Sequence, residues 1–279
     1  MRISVDRILP PLRGASQFTC EDIQSIVATG QQPLGFGQQY KGKTGTRVFS
    51  DRRYFVKLLP LGIVDTDECD DYEALKARRL KDCCLGIYPK EKTWFIASSS
   101  DNGRLFGNIA HIYTPIHVLH DDADRFNTFV SSAYCNVVAM AYGHGLMLDA
   151  GLSNFVSDPA GNIYYIDDDR YAWDEFRSFG ALVASHLREY PTLEPEILGY
   201  NLRLKIQEYV SEADQACQLL AESTATAFIP PAQEARFRVF CRALGADDVV
   251  FDANPILVRL QDKMRSETGV GLPSTKAEN

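Results

Sequence analysis

Asp149, Asn154 and Asp167 are the residues of this 279-residue chain whose types and spacing are best suited to chemistry. Asn154 lies five positions after Asp149 in Leu148-Asp149-Ala150-Gly151-Leu152-Ser153-Asn154. Asp167 comes thirteen residues later, closing Asn162-Ile163-Tyr164-Tyr165-Ile166-Asp167. Carboxylate and amide oxygens are the ligands that a hard cation such as Mg²⁺ prefers, and a second carboxylate beside a hydroxyl can take up its proton. Oxygen ligands plus a base are most of what phosphoryl transfer asks of a protein, because that reaction depends on positioned phosphates, neutralised charge and an oriented acceptor. Taken singly, each residue has a plainer reading. Asp149 could cap a turn, and Asp167-Asp168-Asp169 could be an acidic loop.

A second group lies upstream. Leu34-Gly35-Phe36-Gly37 offers glycines that let a backbone approach a phosphate closely. Lys57, twenty-two residues after Gly35 in Tyr54-Phe55-Val56-Lys57-Leu58-Leu59, would bring a cation to the same anion. A lone Gly-x-Gly is most often a turn, and a lysine in an apolar strand often snorkels at a sheet edge. The weight therefore rests on the order in which the pieces occur. His117 and His120, followed by Asp121 and Asp122, read as a polar loop rather than a metal site.

The elements that must carry these residues can be read from patterning. Thr19 and Asp22 open a capped helix that ends near Gly30. Strand character runs from Gln39 to Phe49 and again from Tyr54 to Leu59, as a hairpin around Ser50-Asp51-Arg52-Arg53. Residues 66 to 85 are predicted helical, and two further strands are expected at 93–97 and 105–113, separated by Ser98-Ser99-Ser100-Asp101-Asn102-Gly103. Pro115 breaks the ladder. Beyond it the chain reads as helices over 125–144, 173–189, 202–222, 231–244 and 255–265, with two short strands either side of Asp158-Pro159-Ala160-Gly161-Asn162. The polar tail from Ser266 reads as unstructured. The expected class is thus α+β: a small β-rich N-lobe over 1–113, a hinge at 114–118, a helical C-lobe over 119–265 and a tail over 266–279.

The run Asp149…Asn154-Phe155-Val156…Gly161-Asn162-Ile163-Tyr164-Tyr165-Ile166-Asp167 resembles the catalytic and metal-binding loops of the protein-kinase-like superfamily. The resemblance extends to an atypical bacterial-type or aminoglycoside-phosphotransferase-like kinase, whose branch has a similar loop–strand–Asp arrangement. It covers about twenty residues and implies a bilobal protein-kinase-like fold. It also implies that Asp149 is the catalytic carboxylate and that Asn154 and Asp167 are Mg²⁺ ligands. By the same resemblance Gly35 and Gly37 look like a glycine loop whose third glycine has become Tyr40, and Lys57 like the strand-borne lysine that contacts ATP phosphates. Glu73, or alternatively Glu68, would be the glutamate that pairs with Lys57.

The chain departs from eukaryotic-type protein kinases in several places. Met147-Leu148 stands where His-Arg precedes the catalytic Asp, Gly151 where those enzymes carry a lysine, and Asp168-Asp169 where Phe-Gly would follow the metal-binding Asp. Glu175-Phe176-Arg177-Ser178-Phe179-Gly180 resembles the start of the large C-lobe helix, so that Glu175, with Asp174 as the alternative, would brace the catalytic loop. Only about seven residues separate Asp167 from that helix, too few for a long activation segment. The resemblance therefore implies an ATP- and Mg²⁺-dependent phosphotransferase acting on a hydroxyl of a small molecule or an atypical protein substrate. The alternatives are a pseudokinase that binds partners without chemistry, and a kinase-fold enzyme that transfers AMP instead.

Composition narrows the partners. Basic residues number 29 and acidic residues 37, a net charge of −8, which argues against nucleic acid as a general ligand. Lys76, Arg78, Arg79 and Lys81 form the one dense basic cluster and read as a solvated helix face. The seven cysteines have no CxxC or regular metal-ligand spacing, and so suit reduced thiols in the cytoplasm or another reducing compartment. The longest apolar stretches fall short of a membrane span.

Overall fold

The computed structural model describes residues 2–9, 17–30, 46–60, 85–100 and 103–249. The chain divides into two units, Met1–Pro115 with Phe155–Ile166, and Ile116–Asn154 with Asp167–Asn279. The crossings fall at 115/116, 154/155 and 166/167.

Period-two alternation builds the first unit. In β3 (Tyr54–Pro60), Val56 and Leu58 point to one face, leaving Phe55, Lys57 and Leu59 on the other. β2 (Arg47–Ser50) joins β3 through a turn in which Asp51 Oδ1 accepts the Arg53 and Tyr54 amides at 2.6 and 2.7 Å. β4 (Thr93–Ser99) and β5 (Gly103–His111) form the next hairpin, and β1 (Ser4–Ile8) pairs with β4. The result is a five-stranded antiparallel sheet in the order β1-β4-β5-β3-β2. β1 escaped the sequence reading because Val5 is its one buried residue, so no alternation marks it. Over one face lies α1 (Cys20–Thr29), whose Thr19–Asp22 capping box forms as expected. Its Ile23, Ile26 and Val27 pack with Phe49, Val56, Leu58, Phe95 and Ile109. A small antiparallel sheet of β6 (Thr114–Pro115), β8 (Phe155–Ser157) and β9 (Ile163–Tyr165) completes the unit.

The second unit is mainly helical. α2 (Ala123–His144) buries Phe126, Val130, Ala133, Tyr134, Val137 and Val138 at helical spacing. It stops at Gly145, whose φ of 64° is the left-handed conformation that glycine adopts without steric cost. β7 (Leu146–Leu148) follows and pairs with β10 (Arg170–Ala172). Then come α3 (Arg177–Glu189), α4 (Pro195–Gln207), α5 (Ala213–Ala225) and α6 (Glu234–Leu244). Two glycines set the close helix contacts. A Cβ on Gly180 would sit 2.5 Å from Ser223 Cβ of α5, and one on Gly199 would sit 2.6 Å from the Phe240 carbonyl oxygen of α6.

The predicted helix over 202–222 is two helices, α4 and α5, broken at residues 208–212. Ile206 and Ala213 are seven positions apart, two helical turns, so the apolar spacing stays in phase across the break and periodicity does not register it. The helix predicted from 173 begins at 177, after Glu175 and Phe176 adopt φ of 55° and 73°. The molecule is thus mixed α and β, with its antiparallel sheet and its helices largely segregated, as expected for the α+β class.

Candidate active site

Sequence distance between Asp149 and the acidic triplet 167–169 is removed by the β7–β10 ribbon. Leu148 is in register with Arg170, so the residue after Leu148 and the residue before Arg170 leave the ribbon at the same end. Those residues are Asp149 and Asp169. α2 fixes where the ribbon begins: the Gly145 amide caps the helix at the Ala141 carbonyl (2.9 Å), and the Gly145 carbonyl accepts the Trp173 amide (3.1 Å).

From there the loop 149–154 is held by its own short contacts. Gly151 N–H donates to Asp149 Oδ1 (3.3 Å), Asn154 N–H to the Gly151 carbonyl (2.9 Å), and Asn154 Nδ2 to the Asp149 carbonyl (3.1 Å). Ala150 and Leu152 are buried anchors on either side of Gly151. Because the Asn154 amide nitrogen is committed to Asp149, its oxygen is the atom with capacity for a cation, which is the donor that a hard metal takes. Asp167 is buried, and its Oδ1 accepts the Asp168 amide at 2.9 Å.

Electrostatics tie the group together. Part of the Asp149 side chain reaches solvent, yet desolvation by the surrounding protein raises its pKa above the usual carboxylate value. The charges of Asp167 and Asp169 raise it further, against the opposing hydrogen bonds from Gly151 and Asn154. All of these residues belong to the second unit. A carboxylate whose proton affinity is raised by two neighbouring carboxylates suits a proton acceptor, and the same anionic neighbourhood favours a divalent cation. The donor set of Asn154 and Asp167 therefore fits Mg²⁺. Among the described residues no group of three or more His, Cys, Asp or Glu side chains could hold a metal by itself.

Lys57 lies on the first unit's sheet, between Val48 of β2 and Asn108 of β5 in register. Trp94 of β4 continues the same cross-strand row, so Lys57, Asn108 and Trp94 share the face opposite α1. Gly35, Gly37, Tyr40, Glu68 and Glu73 lie outside the described residues, as does the basic cluster at 76–81.

Two polar residues near these loops acquire their setting from the fold. Asp174, the alternative to Glu175 as a brace for the catalytic loop, has its Oδ2 accepting both the amide and the hydroxyl of Ser178, at 3.0 and 2.5 Å, in the first turn of α3. Glu175 is exposed. The Ser178 four residues after Asp174 was the available signal. Lys92 is buried to 1% exposure and donates to the Ile166 carbonyl at 2.7 Å. In sequence it sits in Lys90-Glu91-Lys92, which looks like an ordinary solvated turn. His120 Nδ1 meets the His117 carbonyl at 3.0 Å, where the single turn Ile116–Leu119 ends.

A groove of about 690 Å³ also runs along α2 and α4, past Asn127, Ser131, Asn201 and Leu204, and it contains none of the residues assigned above. No family model matches the chain, and no curated protein matches it.

Proposed function

We propose that the protein is an ATP- and Mg²⁺-dependent phosphotransferase of protein-kinase-like, bilobal type, transferring the γ-phosphoryl group to a hydroxyl. The observation that supports this most is the grouping of Asp149, Asn154 and Asp167, in which Asp149 has raised proton affinity partly because of Asp167. In this reading Asn154 and Asp167 hold Mg²⁺, which when bound neutralises phosphate charge. Lys57 is assigned to the nucleotide phosphates, with Gly35, Gly37 and Glu73 as further nucleotide-side residues. Asp149 orients the acceptor hydroxyl and receives its proton as the new O–P bond forms and ADP leaves. The short stretch between Asp167 and α3 favours a small molecule or an atypical protein as acceptor.

The test is ATP turnover and transfer of labelled phosphate by the purified chain, with Mg²⁺ or Mn²⁺ and a panel of hydroxyl metabolites and proteins. Asp167→Ala should reduce turnover at least a hundredfold while circular dichroism stays that of the wild type. Absence of both nucleotide binding and turnover with every divalent metal tried would overturn the proposal. Thermal stabilisation by nucleotide without turnover would point instead to a pseudokinase, and an intact-mass gain of AMP on a target to nucleotidyl transfer.

A further inference from the structure

The strand that delivers Asp167 is gripped at three successive residues by its surroundings in the first unit. The Tyr113 hydroxyl donates to Glu91 Oε1 (2.8 Å), and its ring lies 5.9 Å from that of Tyr164. The Tyr165 amide donates to the Ile87 carbonyl (2.8 Å), and its ring lies 6.0 Å from that of Tyr88. Lys92 Nζ then donates to the Ile166 carbonyl at 2.7 Å. Ile87, Tyr88, Glu91 and Lys92 all come from the short loop that precedes β4.

Of these, Lys92 is the expensive one. Removing an ammonium from water carries a large penalty unless hydrogen bonds and nearby electron density offset it. The Ile166 carbonyl and two aromatic faces contribute to that offset, with Nζ 4.6 Å from the Tyr88 ring centre and 5.2 Å from that of Trp94. An apolar side chain could fill the same space without that penalty. What it could not supply is a donor directed at the Ile166 carbonyl, and that carbonyl belongs to the peptide bond whose nitrogen is Asp167's. Because the peptide is planar, fixing its oxygen fixes the plane from which the Asp167 backbone departs. Trp94 lies in the same cross-strand row as Lys57, so Lys92 also ties the Lys57 face of the sheet to this strand.

We propose that Lys92 is a positioning residue for Asp167, setting the direction in which the metal-binding carboxylate leaves its strand. The inference rests on the reading of Asp167 as a Mg²⁺ ligand. Groups that orient ligands in this way commonly control metal affinity without touching the metal.

The experiment compares full-length wild type, Lys92→Met and Lys92→Arg by titrating Mg²⁺ against a fluorescent ATP analogue. Binding of the analogue in EDTA and thermal unfolding without nucleotide are recorded alongside. Lys92→Met should raise the Mg²⁺ concentration for half-maximal binding about tenfold or more, leave binding in EDTA unchanged, and be largely rescued by Lys92→Arg. A Lys92→Met chain with wild-type Mg²⁺ dependence overturns the inference, whatever its melting temperature, and leaves the kinase reading standing. A wild-type chain that shows no Mg²⁺-dependent nucleotide uptake overturns the kinase reading and this inference with it. If Lys92→Met does not fold, Lys92→Gln, which keeps a neutral donor on a shorter stem, serves for the same comparison.

Discussion

Asp149 and His186 are both titratable groups whose environment disfavours their charged form, and they make opposite statements about pH. Asp149 has its pKa raised, first by desolvation and then by the charges of Asp167 and Asp169, so at neutral pH its ionised form opposes folding. Asp149→Asn should therefore abolish phosphoryl transfer while leaving the melting temperature equal to or above that of the wild type, measured in metal-free buffer. A fall of several degrees would show that the carboxylate is structural. His186 is buried in the second unit with its Nδ1 against the Tyr134 hydroxyl, and burial lowers its pKa from 6.5 to about 4. The unfolded chain binds this proton below its own pKa near 6.5, whereas the folded chain does not until about pH 4. Stability from this group is thus complete above pH 6.5 and lost progressively as the pH falls towards 4. Urea denaturation should record a loss of up to about 3 kcal/mol across that window, and His186→Phe should flatten the dependence.

At the scale of elements, the second unit is held by close helix crossings. Gly199 meets the backbone of α6, which does not yield as a flexible side chain would. Gly199→Ala should cost about 2 kcal/mol, read as a lowered urea midpoint with unchanged slope. The elements also show what patterning reveals and what it misses. α1 was legible down to its capping box, because Thr19 and Asp22 act on amides three residues away. The α4–α5 break was not, because apolar residues remain in phase through it. β7 and β10 were missed for another reason. They are three residues long, half-buried or exposed for the most part, and are strands only because each pairs with the other over a sequence gap of more than twenty residues. The ribbon that aligns the candidate site is thus the element that local sequence says least about.

For the whole molecule, the expected property is linkage between ligand and fold. If Asn154 and Asp167 hold Mg²⁺ and nucleotide, a hundredfold excess of Mg·ATP over its dissociation constant should stabilise the protein by about 2.7 kcal/mol. Differential scanning fluorimetry should show this as a rise in melting temperature that Asp167→Ala removes. An equal rise in Asp167→Ala would place the nucleotide elsewhere. No helix among the described residues is long and apolar enough to cross a membrane. The net charge of −8 leads to the expectation that duplex DNA gives no change in fluorescence anisotropy at physiological salt.

Sequence by itself determined the candidates Asp149, Asn154, Asp167 and Lys57 and the order of a β-rich segment before a mainly helical one. Residue type, spacing and period are local properties, and they are written along the chain. Tertiary structure alone decided that the β7–β10 ribbon brings Asp149 and Asp167–Asp169 to one end. It also decided that Lys92 is buried against the peptide that carries Asp167. Each of these depends on which distant segment lies alongside, and on the burial and local charge that follow. A lysine in a polar turn and a lysine sealed between two rings are the same letter in the sequence.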